Sequence, residues 1–179
     1  MIDPPADPRR RWPEWVTLAA RLVLGGTLLV AGLLKVGHLD AAVQSVRLYQ
    51  LLPWAVTAIV GSALPIVEIA TGLLLLTGTF TRVSAIVGSL LMAAFIIGIA
   101  SVWARGISID CGCFSPGGVV DPAKTQYPFE IARDTGLLIA GLWVAWKPRS
   151  PLAVDNWLFA PAAAPASPDR DPNHEEPAP

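Results

Sequence analysis

The chain has 179 residues, of which 53% are hydrophobic and only 15% charged, and its mean hydropathy is +0.52. That balance exceeds what a water-soluble domain of this size carries and points to a membrane protein. The net charge of −1 leaves no basic footprint for nucleic acid, and two cysteines are too few for a disulfide scaffold.

Residues 1–14 are rich in Pro, Asp and Arg without apolar periodicity and read as a disordered tail, with Arg9, Arg10 and Arg11 just before the first apolar run. That run, about Trp15 to Val36, is too long for the apolar core of a secretory signal and lacks a small-residue cleavage site, so it is expected to stay in the membrane. Its small residues Gly25, Gly26, Ala31 and Gly32 allow a neighbouring helix to approach closely. Gly37 to Gln50 mixes Val43, Val46 and Leu48 with Asp40, Gln44 and Arg47 and predicts a short amphipathic helix at the interface. His38, with no partner at ligand spacing, reads as interfacially solvated rather than as a metal ligand.

A second span is expected over about 52–77, with Pro65 and Glu68 inside it, and a third over about 83–104, where Ser84, Gly88 and Met92 recur at four-residue steps on a face expected to pack inward. Arg105 to Pro128 forms a long loop, and a fourth span follows over about 129–146. The stretch 148–179, rich in Pro, Ala and Asp, reads as a second disordered tail. The expected architecture is all-α: a polytopic domain over 15–147 built as a four-transmembrane-helix bundle with disordered termini.

The long loop carries Ser108-Ile109-Asp110-Cys111-Gly112-Cys113-Phe114 and both cysteines of the chain. Two thiols separated by one glycine are close enough to join, in a ring whose strain favours exchange over permanent stapling. The pair also reads as inert core thiols, as a passive disulfide or as half of a metal site, although no nearby Cys or His completes four ligands. Orientation follows from Lys and Arg near the span ends: Arg9, Arg10, Arg11, Arg82, Lys147 and Arg149 on one side against Lys35, Arg47, Arg105 and Lys124 on the other, six to four. The positive-inside rule then places both termini in the cytoplasm and the cysteine loop outside, where disulfides persist.

Ionisable residues in a span cost at least about 2.5 to 3.5 kcal/mol each at the bilayer centre and need partners or a function. Arg21, Glu68, Arg133 and Asp134 stand out, with Lys35 at the end of the first span. An Arg21 to Glu68 bridge is expected, with a proton relay through a protonated Glu68 as the other reading. Lys35 would neutralise Asp134, leaving Arg133 either to hold a thiolate at Cys111 or Cys113 or to extend to the interface, while Asp110 would oppose the thiolate or relay a proton.

The order of spans, Arg21 and Lys35 in the first, Leu64-Pro65-Ile66-Val67-Glu68 leading into Gly72-Leu73-Leu74-Leu75-Leu76, Asp110-Cys111-Gly112-Cys113-Phe114, and Arg133-Asp134 in the fourth resemble the MauE (methylamine utilisation) family of DoxX-like membrane proteins. The resemblance covers about Trp15 to Trp146 and departs at Ser115, where a glycine is usual. It implies a bundle in the bacterial plasma membrane that assists disulfide formation or thiol redox balance in partners outside the cytoplasm; in the methylamine system the implied client is a cysteine-rich dehydrogenase subunit. On this reading Cys111 and Cys113 exchange with a thioredoxin-like or cysteine-containing client, and electrons pass to a quinone in the bundle or to another redox protein, neither of which has a legible motif. The alternative is a non-enzymatic scaffold or small-solute carrier, with the Cys-Gly-Cys loop as a lid and Glu68 with Arg21 as the working site.

Overall fold

The computed structural model describes residues 8–110, 118–119, 125–148, 150 and 153–155, and of residues 8–11, 110 and 118–119 the backbone alone. Five helices carry the described chain: α1 (Pro8–Val36), α2 (Leu39–Leu48), α3 (Trp54–Thr77), α4 (Thr81–Ala104) and α5 (Tyr127–Trp146). A two-residue strand pair, β1 (Ile109–Asp110) and β2 (Gly118–Val119), lies between α4 and α5.

Among the described residues, three segments are long and apolar enough to cross a membrane: Trp12–Val36, Trp54–Thr77 and Thr81–Ala104. The fourth long helix, α5, carries Glu130, Arg133 and Asp134 in its first half, which lowers its apolarity, yet its 20 residues rise about 30 Å, enough to span. It packs on α4 and α1 to complete a four-helix bundle. Leu24 and Leu28 of α1, Leu75 of α3, Ala85 and Met92 of α4, and Leu137 and Val144 of α5 form the central core. Ser84, Gly88 and Met92 are all buried, so the predicted inward face of α4 is the packed one. Large apolar side chains such as Ile59, Leu90, Ile97 and Ile139 point outward, as a bilayer-facing surface requires. Exposed tryptophans mark both ends of the bundle, Trp12, Trp15 and Trp146 at one and Trp54 and Trp103 at the other, where amphipathic rings suit the membrane interface.

Helices α1 and α3 run antiparallel with their backbones touching. A Cβ at Gly72 would stand 2.7 Å from the Leu29 nitrogen and 2.8 Å from the Gly25 carbonyl, and one at Gly32 would stand 2.8 Å from the Pro65 carbonyl. No side chain larger than hydrogen fits these crossings, which is how small residues drive association where the solvent is itself apolar. Gly26, by contrast, faces open space. Helix α3 continues through Pro65. Helix α2 lies across α3, with Val43 against Gly61.

The boundaries differ from expectation at both ends. Helix α1 begins at Pro8 rather than near Trp15, because extending a helix already nucleated by an apolar span adds one hydrogen bond per residue at little entropic cost. After α5 the chain returns to the bundle at Ala153–Asp155, where Val154 N–H donates to the Thr77 carbonyl and Asp155 N–H to that of Gly78. The fold therefore takes in part of the stretch expected to be wholly outside it, since the carbonyls ending α3 need donors.

Candidate functional site

The charged residues of the spans do not pair as the sequence suggests. Lys35 Nζ donates to Glu68 Oε1 at 2.6 Å, with side-chain exposures of 9% and 0%. The expected Arg21 to Glu68 bridge is replaced by this pair, and the reason is helix geometry. Arg21 stands opposite Gly78, ten residues beyond Glu68 on α3 and hence about 15 Å away along the axis. Side chains also lean toward the N-terminus of their own helix. In antiparallel neighbours this carries Lys35 and Glu68 toward each other and Arg21 away from Glu68.

Asp134 is likewise buried, and its partner is its chain neighbour: Arg133 Nη2 lies 2.8 Å and Nε 2.9 Å from Asp134 Oδ1. Lys35, expected to neutralise Asp134, is committed to Glu68, although its charge still acts on Asp134. The two acids and two bases thus form one electroneutral group spread over α1, α3 and α5. Phe95 of α4 lies between its halves: Lys35 Nζ stands 5.2 Å from the ring centroid, and the same ring lines a small gap beside Arg133 and Asp134. Neutralising buried charge within a compact group is what a low-dielectric interior demands.

Beside Lys35 a cavity of about 260 Å³ opens between α2, α3 and α4, walled by Leu51, Leu52, Val60, Leu64 and Phe95. Its lining is almost wholly apolar, and Lys35 is its single charged residue. Tyr49, which also lines it, packs into a second apolar cluster with Ile99, Val102, Ile109 and Tyr127.

That cluster anchors the root of the cysteine loop. The Tyr127 hydroxyl accepts from Ile109 N–H at 2.8 Å and lies 2.8 Å from the Ile107 carbonyl and 2.9 Å from that of Ile109. Strand β1 pairs antiparallel with β2, Ile109 opposite Val119 and Asp110 opposite Gly118. The Arg105 guanidinium donates to the Tyr49 carbonyl, tying the end of α4 to the end of α2. Cys111 and Cys113 lie outside the described residues, as does the Asp110 side chain. Among the described residues no group of three or more His, Cys, Asp or Glu could hold a metal ion.

At the opposite end, Arg21 is buried against the turn from α3 to α4. Gly78 ends α3 at φ 72°, a left-handed conformation, and its missing Cβ leaves the space that the Arg21 guanidinium and the Ala153 backbone occupy. Asp155 caps α4 from a distance, its two carboxylate oxygens accepting from Phe80 N–H and Thr81 N–H at 2.8 Å each. Burial pushes the Asp155 carboxyl up, but the hydrogen bonds from Thr81 and Phe80 and the charge of Arg21 outweigh it and hold the group below the usual range. Nearby, Thr17 Oγ1 accepts from Trp143 Nε1 at 3.2 Å and lies 3.0 Å from the Lys147 carbonyl, joining α1 to the end of α5. Tyr127, Thr17 and Asp155 escaped sequence reasoning because each works through a partner more than a dozen residues away. A tyrosine opening the helix after the cysteine loop was the one local signal.

A helical bundle with an apolar outer surface, tryptophans at both ends and a buried electroneutral charge group defines a polytopic membrane protein in contact with lipid. The comparison with known families sharpens that class. The chain belongs to the MauE family, described as methylamine utilisation protein MauE, whose model matches residues 13–147. It is similar to the methylamine utilization protein MauE of Paracoccus denitrificans, 31% identical over 103 residues, which make up 57% of this chain and 55% of that protein. The match therefore spans about half the length of that relative. No solved structure matches.

Proposed function

We propose that the chain is an integral membrane thiol-disulfide component that supports disulfide formation or redox maturation of proteins outside the cytoplasm, with Cys111 and Cys113 as its exchanging pair. What carries this reading is the way the loop holding both cysteines of the chain is mounted: β1 and β2 flank them in sequence, and Tyr127 fastens their root to the rigid bundle. A reactive pair needs such a fixed base, because exchange requires the sulfurs to be presented in line to a partner. A client disulfide forms when its two thiols reduce the Cys111–Cys113 disulfide to the dithiol, two electrons and two protons passing from client to loop. In this reading Arg133 stabilises the thiolate released at Cys111 or Cys113 when the client attacks, and Asp110 handles its proton. The relative's name brings methylamine utilisation into the proposal, with a cysteine-containing protein of that system as client.

A second reading is a scaffold or solute carrier in which the buried charges are the working site. The four-residue electroneutral group favours it, with Lys35 rather than Arg21 as the partner of Glu68.

The test is labelling of intact cells with a membrane-impermeant maleimide, with and without prior reduction, followed by trapping with Cys111→Ser and Cys113→Ser. The redox reading expects labelling only after reduction and a mixed disulfide with a client in one single variant. Labelling only after lysis would place the loop inside and sink that reading. Loss of function in Glu68→Gln together with full function in the double cysteine variant would favour the carrier.

A further inference from the structure

The cavity beside Lys35 runs along the helices rather than across them. Its wall on α4 extends from Gly98 to Ala94, about 10 and 16 Å along the axis from Arg105, and its wall on α3 from Val60 to Leu64, about 9 and 15 Å from Trp54. Both walls descend from the same end of the bundle. The cavity is therefore an upright slot as deep as the hydrocarbon of one leaflet, half of a core roughly 30 Å thick. Ala94 shares the exposed face of α4 with Leu90 and Ile97, so the slot opens sideways into lipid. Where roughly 150 Å³ houses the six carbons of benzene, 260 Å³ takes about ten, a large part of one acyl chain. Lys35 at its foot is neutralised by Glu68, so the slot offers a chain no net charge.

Above the slot stand two guanidiniums. Arg47, in the last turn of α2, lies 3.9 Å over the Trp54 ring and donates from Nε to Thr57 Oγ1 at 3.4 Å. Arg105, at the end of α4, donates to the Ser101 and Tyr49 carbonyls. Tyr49 itself lines the slot, its ring against Gly98. The two arginines thus flank the turn from α2 to α3, which sets exposed Leu51 and Leu52 at the mouth. Neither arginine meets a carboxylate among the described residues, and the acid of α2, Asp40, stands at the far end of that helix. A guanidinium has five donors in a fork that matches phosphate, and these contacts use one from Arg47 and two from Arg105. A zwitterionic head group would bring its own ammonium toward this positive pair, whereas an anionic one complements it.

We propose that this site holds one anionic phospholipid, its phosphate on Arg47 and Arg105 and one acyl chain in the slot between α2, α3 and α4. The same short stretch of chain serves both ends of the ligand, since Arg47 and Tyr49 lie two residues apart. The site is independent of the thiol-disulfide reading and uses no residue of it.

The experiment uses the full chain in phosphatidylcholine nanodiscs containing a trace of phosphatidylglycerol with a diazirine midway along one acyl chain. Photolysis is run with and without excess unlabelled phosphatidylglycerol, and adducts are mapped by mass spectrometry. Adducts are expected within 45–52, 60–64 or 94–98, and the excess should remove them where added phosphatidylcholine does not. Arg47→Gln/Arg105→Gln should lower site labelling at least about tenfold. Ala94→Phe fills the slot from the lipid side without touching either arginine, and should lower it as far. In mild detergent, phosphatidylglycerol should raise the melting temperature of wild type and leave that of Ala94→Phe unchanged. Adducts spread over all lipid-facing helices, equal competition by phosphatidylcholine, or undiminished labelling in either variant overturns the proposal. Displacement by decylubiquinone but not by phosphatidylglycerol gives the slot to a neutral ring and overturns it as well.

Discussion

Lys35 Nζ and Glu68 Oε1 meet at 2.6 Å inside the bundle, joining the end of α1 to the middle of α3. Neither side chain reaches water, so the pair stands or falls together. Lys35→Met alone strands a buried carboxylate and is expected to cost about 3–5 kcal/mol, whereas Lys35→Met/Glu68→Gln recovers most of that loss. Thermal unfolding in detergent measures both. Arg21→Met and Glu68→Gln, which touch different ends of the molecule, should add within about 0.5 kcal/mol, and a large coupling between them would contradict the pairing described.

Gly78 and Gly26 offer a matched contrast. Gly78→Ala places a Cβ in the left-handed region and against the Arg21 guanidinium, so a loss of at least about 1–2 kcal/mol is expected. Gly26→Ala meets nothing within 4 Å and replaces a poor helix former with a good one, so it should be neutral or stabilising by up to about 1 kcal/mol. Melting temperatures of the two variants decide.

The cap supplied by Asp155 makes stability depend on acid. Because its folded carboxyl titrates below the ordinary range, its contribution is fully present above the unfolded value of about 3.9 and fades as pH falls through the lower folded value. Asp155→Asn is expected to lose about 1 kcal/mol at pH 7, and the gap to wild type should shrink once pH drops below about 4. A gap that widens in acid would mean that another group governs the turn.

Tyr127→Phe removes one hydroxyl and leaves Ile109 N–H and the Ile107 carbonyl without that partner in a buried place. The expected cost is about 1–3 kcal/mol, felt first at the loop root. Hydrogen exchange at the Ile109 amide should quicken well before exchange in the middle of α4 or α5. Uniform acceleration across the bundle would show that the hydroxyl supports the whole fold rather than the loop.

Much of the architecture was legible along the chain. Apolar runs of 20 or so residues have one low-energy form in lipid, a helix, so the spans could be placed to within a few residues. Small residues at Gly25, Gly32 and Gly72, and the Ser84, Gly88 and Met92 face, marked packing for the same reason: in lipid, close backbone approach replaces the hydrophobic effect.

The partners of the buried charges were not legible. Whether Glu68 meets Arg21 or Lys35 depends on the antiparallel register of α1 on α3 and on the lean of side chains along each helix, neither of which has a local sequence signal. The seat of Asp155 on α4, the grip of Tyr127 on Ile109 and the cavity beside Lys35 are likewise properties of surfaces brought together. The sequence by itself determined a helical membrane bundle and the residues expensive enough to need a purpose; only the tertiary structure decided which of them neutralise one another, because charge pairing in a low dielectric is set by a few ångströms across helices rather than by spacing along them.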